Sequence, residues 1–203
     1  MNTLSKNLIE KLYYKERLST IKIAQKLDTT EWIILSFMRR NNIARRSFSE
    51  ANKVLFEKKK LTFSIKRKLS LREEKLKTAG IFLYWGEGAQ LQGKNCGVDF
   101  ANSNPEMIKV FLSFLRRICG INEKKLRVFL YCYTNQDIEK LLKYWHNTTH
   151  IPINQFTKPY IRKDFKSNSR IMEYGLVHIR YADKKLLIQI DEWIKGYTRK
   201  FVD

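Results

Sequence analysis

Up to residue 88 the apolar positions recur at helical spacing, and beyond it runs of strict alternation enter, so the pattern predicts a helical N-terminal part followed by a mixed α/β layer. Leu4, Leu8, Ile9 and Leu12 form the first helical stripe, over residues 4–14. Ser19 can cap a second short helix, from Thr20 to Leu27, that turns Ile21, Ala24 and Leu27 inward. A third helix begins at Thr29 or Thr30 and buries Ile34 and Met38, and Ile43 closes the unit. Asp28 falls in the tight turn between the second and third helices, where aspartate tolerates a left-handed backbone better than most residues. Residues 47–70 hold the basic triplets Lys58-Lys59-Lys60 and Lys66-Arg67-Lys68 without Pro or Gly, which predicts a partly helical connector.

Ser70 and Glu73 have capping-box spacing, so a long helix should start near Leu71, and Gly88 supplies its stop. Ala79, Phe82 and Gly86 share one face of that helix, a stripe with small residues at both ends where another helix can approach closely, and Glu87 sits where the stripe ends. Ala89 to Gln92 and Cys96 to Ser103 can then pair as a hairpin across Gly93-Lys94-Asn95. Asn104 caps a helix opening on Pro105, which buries Ile108, Phe111, Leu115 and Ile118 and stops at Gly120. Leu126 to Thr134 alternates cleanly, with Leu126, Val128, Leu130 and Cys132 on one face and Arg127, Phe129, Tyr131 and Tyr133 on the other. A helix over 136–146, a strand over 174–181 and a helix over 184–197 complete an α+β layout in which one helical layer lies on an antiparallel sheet.

Charge narrows the class of partner. The net charge of +20 far exceeds what solubility requires, and 43% hydrophobic with 13% aromatic residues is too much packing material for a disordered basic tail. Residues 1–78 carry +12 of that charge and the rest +8, so both parts are expected to touch a polyanion. Nucleic acid is favoured over membrane, because no run of about 18 apolar residues is present to span a bilayer, and the expected location is the cytoplasm, on the nucleoid. Cys96, Cys119 and Cys132 lack a CxxC pair and read as buried thiols, and His146, His150 and His178 form no metal-ligand cluster.

The first three helices resemble a helix-turn-helix, which sets the N-terminal residues of its third helix in a major groove. Those residues are Thr30, Glu31, Trp32, Leu35 and Ser36, while Arg39, Arg40, Arg45 and Arg46 follow as phosphate contacts. A three-helix interaction module fits the same stripe.

Ile81 to Gly88 resembles the signature helix of the LAGLIDADG homing-endonuclease family, which ends in a small residue, an acid and a glycine, here Gly86-Glu87-Gly88. Val98-Asp99-Phe100-Ala101-Asn102-Ser103-Asn104-Pro105-Glu106-Met107 is similar to the family's sheet segment running into its next helix. Where the family has a small Ala-Gly pair this chain has Ile81 and Phe82, and its own Ala79-Gly80 pair lies two residues earlier. The resemblance implies an α-β-β-α-β-β-α domain with an extra segment over 135–163, and a division into residues 1–46, a connector over 47–70, and 71–203. It also implies that Glu87 binds Mg²⁺ over the scissile phosphates of double-stranded DNA, with Lys158 or Lys163 as the catalytic lysine. Since the chain holds one copy of the motif, two acids require a homodimer through Ala79, Phe82 and Gly86. The open sheet face would then enter the major groove with Gln90, Gln92, Lys94, Arg127, His178 and Arg180. A nuclease-inactive LAGLIDADG and helix-turn-helix transcription regulator and an RNA-splicing maturase are the alternatives.

Overall fold

Residues 4–92, 95–163 and 172–202 are described by the computed structural model, and the chain divides into two units, Met1–Lys60 and Leu61–Asp203. Lys94 lies outside the described residues.

In the first unit, Ile9, Leu12, Ile23, Ala24, Ile34, Met38 and Ile43 share one small core. Helix α1 (Lys6–Glu10) widens after Glu10 into a turn in which the Glu16 amide donates to Lys11. Ser19 caps α2 (Thr20–Lys26) and Thr30 caps α3 (Glu31–Arg40), each hydroxyl accepting an amide of the first turn. Asp28 takes the left-handed conformation that the turn demands, at φ +51°. Ile21 corrects the expected inward face, since α2 seals the core with Ile23 and Ala24 and leaves Ile21 exposed.

The expected connector is instead divided between the units. Its first half is α4 (Phe48–Lys58), started by a complete Ser47–Glu50 capping box and held to the three helices because Lys58 Nζ donates to the carbonyls of Glu16 and Arg17 at 2.9 and 2.8 Å. Its second half, from Leu61, is a strap on the larger unit: Phe63 bridges Ile121, and the Lys66 amide donates to the carbonyl of Ile118. The periodicity of residues 47–70 could not reveal this split, because it rests on partners far away in sequence.

The larger unit is built on α5 (Leu71–Glu87), whose Ser70–Glu73 capping box is complete. The Glu73 carboxylate also accepts from Lys66 Nζ at 2.7 Å, and these hydrogen bonds hold its pKa down at about 2. Gly80 lets α5 lie directly on α6 (Pro105–Arg117), where a Cβ would stand 2.1 Å from the Phe114 ring. Of the Ala79-Gly80 pair, Gly80 thus serves packing inside the chain, while Ala79 stays exposed. β1 (Val98–Asn102), β2 (Leu126–Tyr133), β3 (Tyr160–Arg162) and β4 (Leu176–Tyr181) form a sheet in the order β1-β4-β2-β3. α7 (Ile138–Thr149) and α8 (Lys184–Val202) join α5 and α6 in one core against its inner face, with Phe100, Val128, Leu130, Val177 and Ile179 fully buried.

The chain is therefore an α+β protein, with two corrections to the sheet. It is mixed, because β3 runs parallel to β2 while the other pairs are antiparallel. The hairpin strand expected over 89–92 shrinks to one bridge, Gly88 with Phe100, since Gln90 and Gln92 turn away through their own local bonds. No helix of the described residues is long and apolar enough to cross a membrane.

Gly80→Ala should lower the stability of this unit by about 1–3 kcal/mol through overpacking on Phe114. Gly86→Ala, whose added carbon meets nothing within 4 Å, should be neutral or raise stability by up to about 1 kcal/mol. Thermal unfolding followed by circular dichroism separates the two glycines.

Candidate nucleic-acid interface

The end of α5 is set by a clasp rather than by a left-handed glycine. Tyr84 is fully buried, and its hydroxyl, pushed up to about 12 by that burial, stays protonated and donates to the carbonyl of Ala89 at 2.6 Å. The Ala89 amide in turn donates to Asp99 of β1 at 2.8 Å. Gly88 is extended, at φ −87°, and is needed for space: a Cβ there would meet the Tyr84 ring at 2.4 Å. Glu87 is consequently the last helical residue, exposed beside the β1 edge of the sheet.

Ala79, Phe82, Gly86 and Glu87 line one groove with Leu83 and Met107. The groove is open and apolar, and Phe82 and Trp85 are 42% and 40% exposed along it and beside it. Glu106 also lines it but is paired with Lys109 Nζ at 2.7 Å. No trio of His, Cys, Asp or Glu able to hold a metal occurs among the described residues. Mg²⁺ is ordinarily held by one or two carboxylates with waters and phosphate oxygens, so one Glu87 from each of two chains would fit it.

Lys158 and Lys163 are exposed but do not join Glu87. They flank β3 at the far edge of the sheet, whereas Gly88 pairs with the outer side of β1. Four strand spacings separate the two sites, roughly 19 Å.

On the outward sheet face, Asp99 gathers two of the expected DNA contacts. Its carboxylate accepts from Arg180 Nε at 2.6 Å and pairs with His178 Nδ1 at 2.8 Å. Burial raises the Asp99 pKa, but these hydrogen bonds and charges outweigh it and hold the carboxyl below its ordinary range. Arg180 lies over the Phe129 ring, 4.0 Å from its centroid, and the His178 ring lies 4.8 Å from Tyr131. Arg127 donates to the carbonyls of Lys124 and Leu126. Gln90 folds back, its Nε2 donating to Trp85, so it closes the helix end instead of projecting outward. For Gln92 the side chain has no described contact that would aim it.

In the N-terminal unit, Arg39, Arg40 and Arg45 are exposed, and Ser36 is half-buried on α3. Thr30 is occupied as the cap, and Glu31 accepts from Thr20 at 2.6 Å, tying α3 to α2. Arg46 has a structural place: its guanidinium stacks on Tyr13, and Nη2 donates to the Leu18 carbonyl at 2.7 Å. Cys119 and Cys132 are buried as expected, but Cys96 is exposed.

Sequence reasoning missed Asp99 and Tyr160. The outward rings of β2 were legible from alternation, whereas the Asp99–Arg180 and Tyr131–Tyr160 pairings follow from strand register across long separations.

Asp99→Asn should cost roughly 1–3 kcal/mol at neutral pH, the usual magnitude for charged hydrogen bonds that are largely shielded from water. Because the folded pKa is depressed, that contribution is present above the unfolded value near 3.9 and fades as pH falls through the folded one. Urea unfolding of wild type and variant at neutral pH and near pH 3 should show the gap narrowing.

No family model, curated protein or solved structure matches the chain.

Proposed function

We propose that the chain binds double-stranded DNA as a homodimer and cuts it with Glu87. The observation that carries this reading is the place of Glu87, exposed at the end of an open apolar groove on a helix whose Gly86 has nothing within 4 Å of where a Cβ would be. A second α5 laid along Ala79, Phe82 and Gly86 would cover Phe82 and bring two Glu87 carboxylates together across a twofold axis. A divalent ion such as Mg²⁺ held there would activate water and stabilise the leaving oxygen. The Tyr84 clasp would fix where each carboxylate stands, and the surrounding rings of Phe82 and Trp85 would keep bulk water from it. In the first unit, α3 following the Asp28 turn would enter the major groove in the manner of a helix-turn-helix, with Arg39, Arg40 and Arg45 on phosphates.

One observation favours a second reading, a DNA-binding regulator that does not cut: within one chain Lys158 and Lys163 lie at the opposite edge of the sheet from Glu87.

Supercoiled plasmid carrying DNA from around the protein's own gene should be cut at discrete sites with Mg²⁺ and not with Ca²⁺. Glu87→Gln should abolish cutting while retaining binding, and Gly86→Leu should lose both dimerisation and cutting in the same assays. Tight binding without cutting, equal in wild type and Glu87→Gln, selects the regulator. The double change Arg39→Ala, Arg40→Ala should weaken duplex binding across all sequences and reduce the salt slope by about 2, as measured by anisotropy over a salt series.

A further inference from the structure

The outward face of the sheet carries a second chemistry, independent of whether Glu87 cuts. We infer that Tyr160, Tyr131 and the Arg180–Phe129 pair form a stacking platform for unpaired bases of single-stranded nucleic acid. Tyr131 and Tyr160 are register partners on neighbouring strands, with ring centroids 5.3 Å apart, and Tyr160 is 60% exposed on the edge strand. Next to Tyr131 lies the His178 ring, and next to that the guanidinium of Arg180, flat on Phe129. Two planar systems of this kind, aromatic rings and arginine planes, are what proteins use to stack splayed bases.

Asp99 determines why this face suits unpaired bases better than a duplex. A duplex offers its base edges in the groove and keeps its base faces covered by neighbouring pairs, so reading it needs hydrogen-bonding side chains that reach outward. Here His178 and Arg180 spend their reach on the Asp99 carboxylate, at 2.8 and 2.6 Å. Beside that engagement lie the half-buried rings of Phe129, Tyr131 and His178 and the exposed Tyr160, with the Arg180 guanidinium over Phe129. The same pairing fixes the arginine over Phe129 and the imidazole beside Tyr131, so the platform is already ordered before a ligand arrives.

The occupant must also be anionic. Exposed Lys158 and Lys163 flank Tyr160 on the edge strand, and Arg127 is exposed on the strand next to it, in a chain of net charge +20. Strands about 4.8 Å apart allow two or three consecutive bases to lie across such a sheet while the phosphates run along the basic edge.

The test uses the full chain with Glu87→Gln and without divalent metal, so that cleavage plays no part. Anisotropy is measured with labelled oligothymidine, oligouridine and a duplex, each about 12 nucleotides long. Tyr160→Ala should weaken single-strand binding roughly five- to a hundred-fold, leave duplex binding unchanged and leave the salt slope unchanged, because stacking releases no counterions. Tyr160→Phe should bind as the parent does, since the ring and not the hydroxyl is used. Loss confined to oligothymidine assigns the platform to DNA, loss confined to oligouridine assigns it to RNA, and loss on both means that the sugar is not read; each supports the inference. Should Tyr160→Ala bind both single strands like the parent while its near-ultraviolet circular dichroism is unchanged, the platform is overturned. Equal loss on single strand and duplex overturns it as well.

Discussion

A buried tyrosine hydroxyl must find an acceptor, and for Tyr84 the acceptor is the carbonyl of Ala89. That requirement forces the chain to leave the helix at Gly88, double back past the ring and join β1. It also excludes any side chain at position 88, where a Cβ would sit 2.4 Å from the ring it passes. The position of Glu87 and the registration of the helix against the sheet edge are two consequences of one hydrogen bond. The ring itself stacks on Phe111, which stacks on Phe100 at 4.2 Å, so the clasp is anchored in the centre of the larger core. A carboxylate placed this way owes its position to the interior of the domain, although it is itself exposed.

A similar economy operates on the sheet's outer face, where Asp99 is 19% exposed between Arg180 and the His178 ring. An isolated carboxylate there would oppose any nucleic acid. Paired, it is neutralised locally and converts two mobile side chains into fixed planes against aromatic rings. The cost is that one ring nitrogen of His178 and the Nε of Arg180 are committed to Asp99.

Much of this was legible in the sequence because the signals were local. The Ser70–Glu73 capping box, the start of α6 at Asn104-Pro105, the alternation of β2 and the left-handed Asp28 each depend on residues within a few positions, and each is found. What escaped depends on partners distant in sequence. The division of residues 47–70 between two units, the parallel β3, the return of Gln90 to Trp85 and the occupation of Arg46 by Tyr13 and Leu18 all follow from tertiary neighbours that composition cannot name. The glycines show the difference well: Gly80 and Gly86 look alike in a helical stripe, yet one meets Phe114 at 2.1 Å and the other meets nothing.

That contrast bears on what the open groove can do. Had Gly86 been the residue that packs α5 on α6, the stripe would be spent inside the chain and Glu87 would be an ordinary solvated helix end. Because Gly80 does that packing, the Phe82 and Gly86 face remains uncovered while carrying a partly exposed aromatic. Exposed rings beside a glycine are costly to leave in water and easy to cover with a helix, since the glycine removes the side chain that would hold the two backbones apart. A lysine four strand spacings away in the same chain cannot help a carboxylate there. A twofold arrangement that set two Glu87 carboxylates side by side would supply the acid that one motif lacks, yet each Glu87 would then lie as far from the partner's lysines as from its own, so Lys158 and Lys163 would stay at the far edge of the sheet in either chain.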